Sequence, residues 1–326
     1  MCLHHLFISV PTTVSNEAHL SRKDTVQLKT AKSYVTVKPS TAAGTEHPTV
    51  KKISLLGERN SGTRWTSSHL MECFGSQVEV DYRLVRHKHW FQHDVVPGVR
   101  VNRTLVIAQF RDPIYWVDAM RRKPHHAPMH HNKKWSTFVK IPWTLPKRPA
   151  QDEQFVQDLA NNRSLYETHP CHENFEPHQI IACLRYPFPS KKEYTEYFQD
   201  SRLLPSFSGQ LPRYELKDDG SGDHYNNILE MRADKIRNFL SIKDWDWIEE
   251  VYVVQYEKLV KQGTAALIAY IEDVTGLKAQ CTPTPPQQDR PSSALNSDFV
   301  NWMNKHVDWE AEKMIGYDRW NLSASQ

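Results

Sequence analysis

Residues 51–74 read KKISLLGERNSGTRWTSSHLMECF, and this stretch places a short apolar strand, a polar loop and a helical pattern in immediate succession. The strand covers residues 53–56, Gly57 ends it, and residues 58–62 form the loop. In a strand–loop–helix unit of this kind, backbone N–H groups of the loop and the helix N-terminus point at one negatively charged group. The stretch therefore predicts an anion-binding turn, with an ordinary turn between a strand and a helix as the alternative.

The glycines that bound this loop, Gly57 and Gly62, have the spacing of the glycines in a nucleotide P-loop. The residues after them differ, because Thr63 and Arg64 stand where a P-loop has Lys and then Ser or Thr. That Lys contacts the β- and γ-phosphates and that hydroxyl binds magnesium, so both departures affect the ligand. We expect an anionic nucleotide that is bound and used without a metal.

Composition indicates a soluble globular protein, since 39% of the 326 residues are hydrophobic and 24% are charged. The net charge of +3 suits an enzyme for anionic ligands. The sequence has neither a basic helix nor an RNA-binding aromatic motif, so nucleic acid is not expected as a partner. Residues 1–49 lack hydrophobic periodicity and predict a flexible N-terminal tail.

Residues 50–326 predict one α/β domain, in which strands alternate with helices around a mostly parallel central sheet. Further strands are expected at residues 78–85 and 104–110 and within 247–255. Residues 123–225 lack a long apolar face, and we interpret them as a long irregular insertion. The predicted helices cover residues 114–121, 226–240, 264–275, 299–306 and 309–315, the third with Thr264 as its cap and Gly276 as its stop.

Three polar clusters follow predicted strands: the loop and helix start at residues 58–64, the turn at residues 87–89, and Arg111. In open parallel sheets, ligands bind beyond the carboxyl ends of the strands. Because those ends meet at one edge of the sheet, we expect the three clusters to converge on a single crevice.

These motifs together resemble the sulfotransferase family, whose members have a three-layer P-loop-like fold and use 3'-phosphoadenosine 5'-phosphosulfate (PAPS). Residues 59–65, RNSGTRW, are similar to the loop that binds the 5'-phosphosulfate, and residues 111–113, RDP, resemble the 3'-phosphate motif. Lys88 and His89 match the Lys that precedes the family's catalytic His. Residues 255–259, QYEKL, resemble the family's RYEDL stretch. The donor-binding residues that this resemblance implies are Arg59, Asn60, Ser61, Gly62, Thr63, Arg64, Trp65 and Arg111.

The resemblance implies transfer of the sulfuryl group of PAPS to an acceptor hydroxyl, with no metal required. His89 is the expected base, assisted by Lys88, and His87 is the substitute candidate. The family usually has Lys where this chain has Asn60, so either Arg59 or Arg64 would contact the transferring group and act in catalysis. A His that only bonds a backbone carbonyl is the structural alternative for His89.

The family's second 3'-phosphate ligand is a Ser at the position of Ala119 in this chain. Another basic residue would have to replace it. The candidates are Arg121, Arg122, Arg232 and Lys235, although the last two also suit a solvated helix face.

Competing functions rest on other features of the sequence. Asp112 as a Walker B carboxylate would indicate a P-loop kinase or NTPase, and a non-catalytic relative would bind the nucleotide or a glycan without turnover. The His-rich run at residues 123–131 raises a metal site, but an exposed loop near the acceptor is the favoured interpretation.

The acceptor and the location follow from weaker features. Trp and His residues of the insertion suit stacking on a sugar, and the family's carbohydrate enzymes imply the Golgi lumen. Glycosylation sequons at Asn102, Asn162 and Asn321 agree with that location, and in an oxidising compartment Cys171 and Cys183 could form a disulfide. The sequence shows no membrane anchor, so a cytoplasmic enzyme for small molecules is the alternative.

Overall fold

A parallel sheet of four strands organises the fold. Its strands are β1 (Lys52–Gly57), β2 (Glu79–Asp81), β3 (Thr104–Phe110) and β4 (Ile248–Gln255), in the spatial order β2-β1-β3-β4. Every neighbouring pair is parallel, which confirms the α/β prediction. β1 and β3 are buried along their whole length, as their apolar sequences require. The computed structural model describes residues 50–94, 100–125, 127, 130–143, 215, 217, 224–287 and 295–321.

Helices follow β1, β3 and β4 along the described part of the chain. They are α1 (Thr63–Phe74), α2 (Pro113–Arg122), α3 (Trp135–Phe138), α4 (Ile228–Ser241), α5 (Tyr256–Gln262), α6 (Ala265–Thr275), α7 (Ser297–His306) and α8 (Trp309–Met314), with a 3-10 helix at Ile242–Asp244. Within the described residues, none of these helices combines the length and the apolar character that a membrane span requires.

Helices cover both faces of the sheet, because successive side chains of a strand point to opposite faces. On β3, Leu105 and Ile107 pack in a cluster with α1 and α6. The residues between and after them, including Val106 and Phe110, pack in a second cluster with α4 and α8. Each fully buried side chain of this kind contributes about 1.5–3 kcal/mol to folding. The two clusters therefore fix the sheet between two helical layers.

Local signals explain where α2 begins. Pro113 is the first residue of α2, and the Asp112 carboxylate accepts hydrogen bonds from the N–H groups of Ile114 and Tyr115. Thr264 precedes α6 as expected, but its hydroxyl makes no cap bond. That hydroxyl lies 2.9 Å from His69 Nε2 instead, so Thr264 connects two helices rather than capping one.

β2 is shorter than the strand that the sequence predicts. The strand expected at residues 78–85 has only three residues, because the chain turns after Asp81 and Arg83 pairs with His87 in an isolated antiparallel bridge. Residues 1–49 and most of the insertion lie outside the described residues. The described ends of the insertion belong to the main core, since Phe138 and Trp143 are fully buried in a cluster with α2, α4 and α7.

A disulfide joins Cys73, near the end of α1, to Cys281, which follows α6. The sequence did not predict this pair. The cysteines that it did suggest, Cys171 and Cys183, lie outside the described residues.

Candidate active site

The loop between β1 and α1 is held in one conformation by its own residues and by β3. Gly62 has a φ of 81°, and a Cβ added there would lie 2.5 Å from Tyr256 Cε2, so this position requires glycine. The Ser61 hydroxyl donates to the Glu58 carbonyl at 2.6 Å, and the Gln109 amide donates to the Ser61 carbonyl. The N–H groups of Trp65 and Thr66 donate to the Gly62 carbonyl, whereas those of Thr63 and Arg64 have no acceptor inside the helix and form its positive end.

His89 lies against Gly57, the last residue of β1, directly before this loop. Its Nδ1 is 2.7 Å from the Gly57 carbonyl oxygen, so Nδ1 carries the proton and donates it. The Gly57 N–H in turn donates to the Lys88 carbonyl at 3.0 Å. Among the described residues Nε2 has no hydrogen-bond partner, so its lone pair is available to a ligand. Burial, together with the charges of His87, Arg59 and Lys88, holds the pKa of His89 well below its usual value of 6.5.

Two cations accompany His89. Lys88 is almost fully buried, and its pKa is lowered by burial and by the positive charge of Arg64. Arg64 is exposed on the first turn of α1. Positive charge is therefore concentrated where the helix N-terminus already favours an anion.

Arg111 brings the end of β3 to the same loop. One of its terminal nitrogens, Nη1, donates to the Asn60 carbonyl at 3.0 Å, and its guanidinium lies 5.3 Å from the centre of the Tyr256 ring. Glu257, the next residue, accepts hydrogen bonds from the Asp112 N–H, and its Oε1 lies 3.8 Å from Arg111 Nε. The QYEKL stretch (residues 255–259) thus contacts both the loop at residues 58–62, here called the anion loop, and the RDP motif at residues 111–113.

The predicted site residues of the loop have different surroundings. Arg59 is buried, its Nη2 pairs with Glu215, and its guanidinium lies between the rings of Trp90 and Trp143. Asn60 is bound to the segment after α2, with its amide donating to the Lys123 carbonyl and its Oδ1 3.0 Å from His125 Nε2. Trp65 is partly buried and stacks with His69.

A buried ionic network lies behind the loop, and the sequence did not reveal it. Arg232 contacts Glu58 at 2.7 Å and Glu312 at 2.5 Å, and it donates to the Arg111 carbonyl at 2.6 Å. Lys235 pairs with Glu215, the same carboxylate that binds Arg59. The expectation of a solvated helix face is therefore wrong, because Arg232 and Lys235 are only 1% and 3% exposed.

Burial changes the acid–base behaviour of this network. The pKa of Glu58 is raised to about 7, mainly by burial, although Arg232 opposes the shift. Glu58 Oε1 is buried and has no hydrogen-bond partner among the residues that the structure describes. The pKa of Glu215 is lowered, because Arg59 and Lys235 together outweigh the cost of its burial.

The other candidate residues are engaged elsewhere. Arg121 and Arg122 both pair with Asp118, at 3.0 Å each. The Asp112 carboxylate caps α2 and accepts from Trp320 Nε1 at 2.9 Å, so both of its oxygens are used structurally. This arrangement does not favour Asp112 as a magnesium ligand of a kinase or NTPase.

The His-rich run is not an exposed loop throughout. His130 is fully buried, with its ring 4.3 Å from that of Trp143. His125 is partly buried, and its pKa is lowered to about 4, first by burial and then by Arg59 and Lys123. Residues 126, 128 and 129 lie outside the described residues.

Comparison of the chain with protein-family models, with curated proteins and with solved structures found no match. The chemistry must therefore be argued from the arrangement itself. It combines a helix N-terminus, an exposed Arg, a buried Lys and a neutral His with an available lone pair. Such a group of residues can bind an anion and remove a proton from a neighbouring hydroxyl.

Proposed function

We propose that this protein is a sulfotransferase that moves the sulfuryl group of PAPS to an acceptor hydroxyl on a carbohydrate. The observation that carries the proposal is the meeting of His89 and Arg111 on the backbone of one loop, at Gly57 and Asn60. The end of β3 thus brings a cation, and the segment after β2 brings a base, to the turn whose sequence resembles a phosphosulfate loop.

The anion loop would bind the 5'-phosphosulfate end of the donor. In sulfuryl transfer, as in phosphoryl transfer, negative charge builds on the bridging oxygen of the leaving group. Preorganised N–H groups at the start of α1 and the cations Lys88 and Arg64 supply the compensating positive charge. Of the two loop arginines, Arg64 takes this role in our proposal, because Arg59 is buried against Glu215.

Arg111 would bind the 3'-phosphate. Its side chain is about one-fifth exposed, and its only acidic contact among the described residues is the 3.8 Å approach of Glu257. The second phosphate ligand of the family is replaced by the core residue Ala119, and Arg121, Arg122, Arg232 and Lys235 are each paired with a carboxylate. The 3'-phosphate therefore depends chiefly on Arg111.

His89 would act as the base for the acceptor hydroxyl. The hydrogen bond from Nδ1 to the Gly57 carbonyl fixes the tautomer, and the lowered pKa keeps the ring neutral at physiological pH. Nε2 then accepts the hydroxyl proton as the oxygen attacks sulfur. General base catalysis of this kind contributes about 10²- to 10⁴-fold to the rate.

The acceptor class and the location extend the proposal. The Trp and His residues of the insertion at residues 123–225 suit a sugar ring, which favours a carbohydrate over another small molecule. The Golgi lumen would suit such an enzyme, and the Cys73–Cys281 disulfide agrees with an oxidising compartment. A cytoplasmic enzyme for small molecules is the alternative.

The direct test measures transfer of labelled sulfate from PAPS to a panel of glycans and small hydroxyl compounds, in the presence of a chelator. We expect transfer by the wild-type chain and a loss of about 10²- to 10⁴-fold in His89→Asn. The Asn side chain retains a donor for the Gly57 carbonyl but has no basic nitrogen. His306→Ala, an exposed histidine of α7, is the matched control and should keep wild-type turnover.

Two results would contradict the proposal. Binding of the donor without transfer to any acceptor would indicate a non-catalytic relative. Full turnover in His89→Asn would show that another group is the base, even if the reaction is the one proposed.

A further inference from the structure

A histidine and two cysteines form a cluster on α1 that the proposed reaction does not use. His69 and Cys73 are four residues apart on this helix and therefore share a face. Cys281 reaches the same point from the segment after α6 and is bonded to Cys73. One ligand atom of each residue lies within 4.8 Å of the other two.

The spacing of these atoms is close to that of a zinc site. Zinc binds thiolate sulfur at about 2.3 Å and imidazole nitrogen at about 2.0–2.1 Å, so tetrahedral geometry separates sulfur and nitrogen by roughly 3.6 Å. Cys73 Sγ lies 3.7 Å from His69 Nε2 and 3.9 Å from Nδ1. For all three ligands to surround one ion, the two bonded sulfur atoms would have to separate.

The imidazole is already oriented as it is in metal sites. His69 Nε2 lies 2.9 Å from Thr264 Oγ1, and that oxygen accepts the Thr284 N–H at 2.7 Å. A hydrogen bond from one ring nitrogen fixes the ring and leaves the other nitrogen as a ligand. The exposed Glu72 has its Oε2 3.7 Å from Nδ1, and it or a water molecule can supply the fourth ligand.

We propose that His69, Cys73 and Cys281 bind one zinc ion when the disulfide is reduced. The cluster is then a covalent bond under oxidising conditions and a metal site under reducing conditions. In both forms it ties the C-terminal end of α1 to the segment after α6, which also contacts α1 through the Gln280 N–H and the Cys73 carbonyl at 2.9 Å.

The reaction balances as a thiol–disulfide exchange followed by metal binding. A dithiol gives two electrons and two protons to the sulfurs of Cys73 and Cys281 and is itself oxidised to a disulfide. Zinc then binds two thiolates and a neutral imidazole, and the two thiol protons pass to the buffer.

The test uses the full chain, reduced without denaturant, dialysed free of reductant under argon and titrated with Co²⁺ as the probe. We expect a sulfur-to-cobalt charge-transfer band that saturates at one equivalent and disappears when Zn²⁺ is added. The Cys171→Ser/Cys183→Ser double variant and His306→Ala should keep the band. His69→Ala should weaken Co²⁺ binding at least tenfold, and Cys281→Ser should lose most of the band.

A second readout is thermal stability. Zn²⁺ should raise the melting temperature of the reduced wild-type chain and leave that of the oxidised chain unchanged, because only the reduced form offers thiolates. Three results would overturn the proposal: a disulfide that resists reduction in the folded chain, no band in the reduced chain, or an undiminished band in His69→Ala.

Discussion

Basic side chains lie on two sides of the anion loop, and they differ in whether a carboxylate neutralises them. Behind the anion loop, Arg59, Arg232 and Lys235 are buried and each is paired with a carboxylate. On the loop side, Arg64 is exposed. Arg111 donates one hydrogen bond to a backbone carbonyl, and among the described residues Glu257 is its only acidic contact. The paired cations hold the ends of β1 and β3 in place, and the less neutralised ones are available to a ligand.

This difference separates the basic residues that stabilise the fold from those that are available to bind a ligand. A buried cation that is paired with a carboxylate is already neutralised, so an added anion gains little from it. A cation beside a helix N-terminus keeps its charge for a ligand. Arg232 connects the regions, since it binds Glu58 at the start of the loop and donates to the carbonyl of Arg111. Changes in the two regions should therefore affect different measurements.

Replacement of Arg232 should have the largest effect on stability. In Arg232→Met, Glu58 and Glu312 lose the cation that they share, and breaking a buried pair costs about 3–5 kcal/mol. Urea unfolding should show this loss in the free energy of unfolding. In the matched control Arg122→Gln, an exposed cation is removed from α2 while Arg121 still pairs with Asp118, and the change should stay within about 1 kcal/mol. Equal effects of the two variants would contradict the division into regions.

Glu58 should make stability depend on pH. Its pKa is raised in the folded chain from 4.5 to about 7, so the folded state binds its proton more tightly than the unfolded state does. The stabilisation is complete below pH 4.5 and is lost as the pH rises to about 7, by roughly 3 kcal/mol. Residue 58 does not titrate in Glu58→Gln. The unfolding free energy of the variant minus that of the wild type should therefore increase as the pH rises across this window.

Subtracting the two curves isolates Glu58 from the other carboxylates whose pKa is raised by burial, Asp112, Asp234, Glu257 and Glu312. A difference that stays constant across the window would mean that Glu58 titrates alike in the folded and unfolded chains.

The smallest effect is expected in the pH dependence of turnover. Because the pKa of His89 is lowered well below 6.5, the acidic limb of kcat/KM should lie below pH 6.5. Lys88→Met removes one of the charges that lower this pKa, so the limb should move to higher pH. Measurement of kcat/KM against pH in both chains checks this. A wild-type limb at or above the usual His value would argue against His89 as the base.

Local patterns were sufficient to predict the loop side of this comparison. The strand, the bounding glycines and the helix of residues 51–74 lie next to one another in sequence, and β3 ends at Phe110, directly before Arg111, as its apolar run indicated. The convergence of the strand ends followed from the rule for parallel sheets. What each loop side chain contacts was not predictable, as Asn60 illustrates by binding His125 across 65 residues.

The paired side could not be read from the sequence, because its partners are distant along the chain. Arg59 meets Glu215 across 156 residues, and Arg232 meets Glu58 across 174. On a helix, Arg232 and Lys235 have the spacing of an exposed polar face, and only tertiary contacts reveal their burial. The same reasoning applies to Cys73 and Cys281, which are 208 residues apart.

The most direct test of the central claim is calorimetric titration with 3'-phosphoadenosine 5'-phosphate, the nucleotide product of the proposed reaction, in the presence of a chelator. We predict binding at one site in the wild-type chain, binding at least about tenfold weaker in Arg111→Gln, and unchanged binding in Arg122→Gln. Heat of binding seen only with ATP and magnesium, or equal affinity in wild type and Arg111→Gln, would contradict the account.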